Sequence, residues 1–170
     1  QIDDKIYMCY TAFDCFGPPR VAITSITESN FLAKKWEWEK PFLITPRDLD
    51  DKDACLFPEK FKDGYFIIHR VSSEICGDYL TTLDADTAMV KKCIRIMGPR
   101  TNTWDSLKVG IACPPIKTKK GWLLLYHGVS KSHSTYRVGA VLIDLNDPAI
   151  VLASSTEPIF EPVEQYEKFG

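Results

Sequence analysis

Four basic or imidazole side chains recur in pairs along this chain. Arg70 and His127 stand at equivalent places of an internal repeat, and Lys52 and Lys108 precede them by 18 and 19 residues. If the fold brings equivalent strands toward a common axis, the four side chains meet in one cleft. Guanidinium, ammonium and imidazolium groups bind small oxyanions such as phosphate, sulfate or carboxylate through charge-assisted hydrogen bonds. The spacing therefore predicts an anion-binding site.

Each of these residues also has a purely structural interpretation. Lys52 lies in an acidic run, where it would balance the charge of a solvated loop. Arg70 would pair with Glu59 or Glu74, and His127 would be a hydrogen-bonded core histidine on an apolar strand. The repetition of the set at matched positions, rather than any single residue, favours a functional site.

The repeat is marked by aromatic residues at the start of three similar apolar segments. Tyr7, Tyr65 and Trp122 are 58 and 57 residues apart, and the last two share an upstream proline and lysine. Short segments of β-forming residues, separated by turn residues, predict an all-β protein. Repeats of this size are typical of β-propeller blades. A β-sandwich of similar hairpins is the alternative, but it gives no reason for the shared residues.

Composition places the chain among ordinary globular proteins. Of its 170 residues, 45% are hydrophobic and 26% are charged, and the formal net charge is −2. That charge excludes a general attraction to nucleic acid or to an anionic membrane surface. The apolar runs fall far short of the roughly 20 residues that span a bilayer. The 11 prolines disfavour long helices.

The cysteines indicate a reducing compartment. They form no CxxC pair, so a zinc site has little support. Most lie in apolar segments, and the chain is longer than typical disulfide-framed secreted domains. We therefore predict reduced, mostly buried thiols in a cytoplasmic protein. The six residues are Cys9, Cys15, Cys55, Cys76, Cys93 and Cys113.

Several strings of the sequence resemble glycoside hydrolase family 130, the β-mannoside phosphorylase family. These strings cover nearly the whole chain, at 50–60, 69–70, 104–110, 121–129, 136–140, 144–148 and 157–167. The resemblance implies a five-bladed β-propeller. This chain would form about three of the blades, at 1–50, 51–107 and 108–170.

The resemblance also implies an enzyme that cleaves β-linked mannosides with inversion. Inorganic phosphate, the co-substrate, attacks the anomeric carbon and gives mannose 1-phosphate, and neither a metal nor another cofactor is implied. The substrates would be mannosyl-glucose or β-manno-oligosaccharides. The linkage (1,2 or 1,4), the acceptor sugar and the oligomeric state, a homo-oligomer included, stay open.

Site residues follow from the resemblance position by position. The phosphate-binding set is Lys52, Asp53, Arg70, Lys108 and His127. Asp105 and Tyr126 are predicted to contact the sugar substrate. This chain departs from the family pattern at two places: Lys52 replaces an arginine and loses its bidentate fork, and Asp53 replaces an asparagine. An ionised carboxylate repels phosphate unless a cation or a hydroxyl group compensates for its charge.

The resemblance places the catalytic aspartic acid upstream of Gln1, so residues 1–170 alone are expected to be inactive. Two alternatives to phosphorolysis stay open. The first is an inverting hydrolase of the same fold, which needs two carboxyl groups roughly 6.5 to 9.5 Å apart to hold a water molecule. The second is a non-catalytic carbohydrate-binding propeller. Blade repetition predicts inner strands at 6–11, 65–70 and 122–127.

Overall fold

The structure, a computed structural model, describes residues 1–62, 64–132 and 134–168. These residues form three antiparallel sheets and two short helices, which confirms the all-β prediction. Sheet one has β1 (Lys5–Ala12), β2 (Arg20–Thr27) and β3 (Phe42–Leu43). Sheet two has β4 (Asp51–Phe61), β5 (Gly64–Val71), β6 (Glu74–Leu80) and β7 (Ile94–Met97). Sheet three has β8 (Lys108–Ile111), β9 (Ile116–Lys117), β10 (Trp122–Val129), β11 (Tyr136–Ile143) and β12 (Val151–Ser154). The helices are α1 (Glu28–Leu32) and α2 (Gln165–Lys168).

Two apolar clusters hold the sheets together, and sheet two takes part in both. Between sheets two and three, the Phe57 ring lies edge-to-face against Phe66 and Trp122, with centroids 5.5 and 5.2 Å away. Gly77 permits this packing, because a Cβ there would lie 2.2 Å from the Phe66 ring. The second cluster packs apolar residues of β2 against β4 and β5. β5 is therefore buried on both faces, and its sequence is apolar almost throughout.

The predicted order of strands is wrong for sheets two and three. Segments 65–70 and 122–127 lie on β5 and β10, each of which has a strand on both sides. The strands nearest the other sheets are β4, which contacts β1 and β2, and β8, which contacts β4, β5 and β6. The repeat identifies equivalent strands, but it does not show which strand of a sheet is innermost. Among the described residues, β1 pairs along its length with β2 alone.

The prediction of six reduced thiols is wrong for two of them. Cys76 on β6 and Cys93, just before β7, form a disulfide with Cα atoms 5.0 Å apart. Cys76 of β6 pairs with Arg95 of β7, which lies two residues after Cys93. This pairing brings the two cysteines together, and their sequence separation of 17 residues gave no sign of it. The remaining four cysteines have free thiols.

The helical content of the described residues is confined to two short segments. α1 has 5 residues and α2 has 4. In the part of the chain that the structure describes, neither helix has the length or the apolar character needed to cross a membrane.

Candidate anion-binding site

Four of the five predicted phosphate-binding residues lie close together at one end of sheets two and three. Asp53 is near the start of β4, and Arg70 is near the end of β5, where β4 and β5 pair. Lys108 begins β8, and His127 lies near the end of β10, opposite Gly110 of β8. Because neighbouring strands run antiparallel, the beginnings of β4 and β8 meet the ends of β5 and β10.

Asp53 occupies the centre of this group. Its Oδ2 lies 3.1 Å from Nε of Arg70 and 3.6 Å from Nε2 of His127. The Asp53 backbone has φ 50°, a left-handed conformation that aspartate and asparagine tolerate better than most residues. The register between β4 and β5 also shifts between Lys52 and Cys55. The irregular strand thus brings the carboxylate to the cations.

Gly110 makes room for this arrangement. A Cβ at position 110 would lie 2.6 Å from Asp53 Oδ2 and 2.6 Å from His127 Nε2. A Cβ atom does not approach other heavy atoms that closely, so any side chain at this position would displace the aspartate and the histidine. The glycine between the two predicted ligands Lys108 and His127 is therefore part of the site.

Lys108 reaches the group through Tyr136, a residue that the sequence analysis did not predict. The Lys108 ammonium donates a hydrogen bond to the Tyr136 hydroxyl over 2.6 Å and lies 4.8 Å from the centre of that ring. The Tyr136 ring lies 5.5 Å from the imidazole of His127. Tyr136 begins one of the strings that resemble the family, which was the only available signal for it.

The surroundings of His127 favour its neutral form. Burial is the largest effect that lowers its pKa below the ordinary value. The nearby Asp53 opposes that effect, while Arg70 and Lys108 lower the pKa further. With a neutral imidazole, the cluster carries two positive charges, from Arg70 and Lys108, and the negative charge of Asp53. The result is a single net positive charge beside the cleft.

Lys52 does not join the group in this structure. Its ammonium lies 3.5 Å from Asp50, and 30% of the side chain is exposed. Neighbouring residues of a strand lie on opposite faces, so the adjacency of Lys52 and Asp53 in the sequence does not place both in one pocket. A phosphate-binding role for Lys52 stays a prediction.

Asp105 and Tyr126 lie in a separate buried network. The Tyr126 hydroxyl donates to Asp105 over 2.9 Å, and Arg100 donates to the same carboxylate from 2.9 Å. Burial, followed by the negative charge of Asp105, raises the pKa of Tyr126. Both predicted substrate contacts are fully buried, and the structure does not bring them to the anion cluster. The network ties the loop before β8 to β10 and to the backbone of Ser155.

A second buried pair lies beside the anion cluster and was also missed. His69 Nδ1 donates to Asp51 Oδ2 over 2.7 Å, and both side chains are completely buried. Asp51 precedes the Lys52 and Asp53 positions, and His69 precedes Arg70, on paired strands. Within the described residues, Oδ1 of Asp51 and Nε2 of His69 have no hydrogen-bond partner. The string at 69–70 drew attention to this region without indicating the pair.

A cleft of about 490 Å³ opens beside the cluster, between β1, β4 and the segment after β8. Asp53 and the thiols of Cys9, Cys55 and Cys113 are among its lining residues. Burial raises the pKa of Cys9 to about 12 and that of Cys55 well above its ordinary value. Those two thiols are therefore protonated at neutral pH and are poor nucleophiles. No group of three potential ligands among the described residues is arranged to hold a metal ion.

Comparison with known proteins identifies the family. The sequence matches a family of carbohydrate-active proteins: a family model described as beta-1,4-mannooligosaccharide phosphorylase matches residues 1–170 in full. The chain is a member of glycoside hydrolase family 130. It is 39% identical over 170 residues to a 1,2-beta-oligomannan phosphorylase of Thermoanaerobacter sp. (strain X514), covering 100% of this chain and 54% of that protein.

This chain is also similar in fold and in sequence to a solved structure. A beta-1,2-mannobiose phosphorylase of Listeria innocua, in complex with beta-1,2-mannobiose, superposes with a TM-score of 0.83 at 34% identity. The superposition covers 100% of this chain and 46% of that one. The chain therefore spans about half the length of the relatives that it matches.

Proposed function

We propose that the complete protein is an inverting β-mannoside phosphorylase and that this chain supplies its phosphate-binding side. One observation carries the proposal: Arg70 and His127 lie beside Asp53, which lines a cleft, and Lys108 is near enough to lower the pKa of His127, in a chain that belongs to glycoside hydrolase family 130. A site that contains the two cationic side chains of Arg70 and Lys108 suits a phosphate ion better than a neutral water molecule.

In the proposed reaction, a phosphate oxygen forms a bond to the anomeric carbon while the bond to the glycosidic oxygen breaks. Arg70 and Lys108 hold the nucleophile in place and balance its charge, which lowers the cost of positioning it. The departing oxygen receives a proton from the 3-hydroxyl group of the mannosyl unit, which in turn takes a proton from the aspartic acid that the family resemblance implies. The products are mannose 1-phosphate with inverted configuration and the shortened acceptor. No cofactor is needed beyond phosphate as co-substrate.

We also propose that the three sheets are three blades of a five-bladed propeller. The blades would span 1–50, 51–107 and 108–170. Two features support this: the 58- and 57-residue repeat falls on β1, β5 and β10, and each of these strands begins a comparable hairpin. Within the described part of the chain, β1 has a strand on one side only, and its other edge is where a further blade would pack.

For the substrate, we propose a β-1,2-linked mannoside. Two relatives at 39% and 37% identity are named for β-1,2-linked substrates. We further propose a cytoplasmic location, which rests on the four free thiols and is weakened by the disulfide between Cys76 and Cys93.

One observation favours hydrolysis as a second candidate. The Asp53 carboxylate lies between Arg70 and His127, where it could orient a water molecule instead of phosphate. A water molecule brings no charge into the site, so the cluster would keep its single net positive charge during hydrolysis. Measuring whether cleavage requires phosphate therefore distinguishes phosphorolysis from hydrolysis.

Variants of the complete enzyme test the role of the cluster. Replacing Lys108 or His127 by alanine should raise the KM for phosphate by about tenfold to a hundredfold, because each charge-assisted hydrogen bond contributes about 1.5 to 3 kcal/mol. The KM for the mannoside should change much less. Lys120→Ala, which removes an exposed lysine at the turn before β10, is the matched control. Unchanged phosphate dependence in both cluster variants would contradict the proposal.

A further inference from the structure

The Asp53 carboxylate lies beside the basic side chains of the candidate site. Its Oδ2 is buried and, among the described residues, has no hydrogen-bond partner, although Arg70 Nε is 3.1 Å away. The remainder of the side chain is accessible, since 24% of it is exposed, and Asp53 lines the cleft. The residue thus presents a negatively charged acceptor to whatever occupies the cleft next to Arg70 and His127.

The chemistry of that acceptor restricts the ligand. An ionised carboxylate accepts hydrogen bonds and donates none. A fully deprotonated oxyanion also only accepts, so the two groups repel each other at close range. Near neutral pH inorganic phosphate retains at least one proton, whereas sulfate retains none. Phosphate can therefore donate a short hydrogen bond, about 2.5 to 2.7 Å between oxygens, to the carboxylate.

We propose that Asp53 makes this site selective for a protonated oxyanion. The carboxylate accepts a hydrogen bond from the hydroxyl group of phosphate, while Arg70, Lys108 and His127 contact the unprotonated oxygens. Sulfate is rejected because it leaves the carboxylate facing a second unprotonated oxygen. This inference rests on the proposed function, since it assigns a selectivity to the same site.

A hydroxyl group of the sugar is the other possible donor to Asp53. The two sources differ in what they predict. A phosphate donor makes Asp53 control the ratio of phosphate to sulfate affinity in the absence of any sugar. A sugar donor makes Asp53 control mannoside affinity and leaves the anion ratio unchanged.

Isothermal titration calorimetry of the complete protein tests the proposal. The protein is titrated separately with inorganic phosphate and with sulfate, at neutral pH and constant ionic strength. The unsubstituted protein should bind phosphate about tenfold to a hundredfold more tightly than sulfate, the range of one charge-assisted hydrogen bond. Asp53→Asn should remove most of this ratio, chiefly by strengthening sulfate binding. Asparagine suits the backbone there because it tolerates φ 50°.

Two further variants make the result specific. Asp53→Gly also fits the positive φ, and it should abolish the selectivity without supplying a new donor. Asp48→Asn removes an equal charge from an exposed position nearby and should leave the ratio unchanged.

The selectivity is contradicted if the unsubstituted protein binds sulfate as tightly as phosphate. It is also contradicted if both Asp53 variants keep the original ratio, including the case in which only mannoside affinity changes. If neither the unsubstituted protein nor any variant binds phosphate, the proposed function itself fails.

Discussion

At the scale of single residues, the site combines cations with one anion that partly neutralises them. Burial and the nearby cations Arg70 and Lys108 lower the pKa of His127, while Asp53 opposes them. The neutral imidazole keeps the net charge of the cluster low in the absence of a ligand. An incoming anion would reverse this balance, since a negative charge beside His127 favours its protonated form.

The lowered pKa of His127 has a consequence for stability. The unfolded chain binds a proton at this residue below about pH 6.5, whereas the folded chain resists protonation until a lower pH. The contribution of His127 to the free energy of unfolding is therefore fully present above about pH 6.5, and it is lost as the pH falls through the folded-state pKa. Melting temperatures measured between neutral and mildly acid pH should fall less steeply for His127→Gln.

Saturating phosphate should reduce the loss of stability of the unsubstituted protein at acid pH, because the bound anion raises the pKa of His127. An identical pH dependence for the unsubstituted protein and His127→Gln would show that the histidine is not held neutral by the fold.

These residues show how much of the candidate site could be predicted from the sequence. Of the residues that repetition and family resemblance grouped with Lys52, the structure brings together Asp53, Arg70, Lys108 and His127. Repetition and resemblance did not separate Lys52 from Asp53, because the bulge and the positive φ that turn Asp53 toward Arg70 are not visible as a pattern. They missed Tyr136, whose part in the site depends on the pairing of β10 with β11 and not on its own type.

At the scale of elements, the pairing of β4 with β5 positions the site, and a buried polar pair reinforces it. Asp51 lies on β4 two residues before Asp53, and His69 lies on β5 immediately before Arg70. A buried pair of this kind is costly to break, since the remaining partner is left without compensation. The pair fixes the start of β4, where the strand becomes irregular and Asp53 leaves the regular ladder.

Replacing His69 by alanine should therefore destabilise the fold by about 3 to 5 kcal/mol, because Asp51 would remain buried and unpaired. The free energy of unfolding in urea measures this directly. In a double-mutant cycle, the variant lacking both side chains should lose less than the sum of the single losses.

The exposed pair of Lys117 and Glu59, with 2.6 Å between Nζ and Oε2, is the matched comparison. Its removal should change stability by no more than about 1 kcal/mol. Equal effects for the buried and the exposed pair would contradict the role given to Asp51 and His69.

The sequence predicted the strands well, but it did not predict their neighbours. Apolar runs and turn residues placed strands near 6–11, 65–70 and 122–127, and these segments lie on β1, β5 and β10. Their place in each sheet depends on β4 and β8, whose pairing is a contact between distant residues. The disulfide between Cys76 and Cys93 was missed for a similar reason, because it follows from the pairing of β6 with β7.

At the scale of the whole molecule, sheet two is the centre of the structure. Its β5 strand packs toward sheet one on one face and toward sheet three on the other. The anion cluster takes Asp53 and Arg70 from sheet two and Lys108 and His127 from sheet three. Such a site exists only when the sheets are packed together, so the stability of the core and the geometry of the site are linked.

The source of the oxygen atom on the mannosyl product tests phosphorolysis most directly. The complete enzyme would cleave a β-1,2-linked mannoside in water enriched in ¹⁸O, with unlabelled phosphate present, and mass spectrometry would identify the products. If phosphate attacks the anomeric carbon, the product is mannose 1-phosphate without ¹⁸O, and cleavage stops when phosphate is removed. Free mannose carrying ¹⁸O at the anomeric carbon, formed at the same rate without phosphate, would contradict the account and show hydrolysis instead.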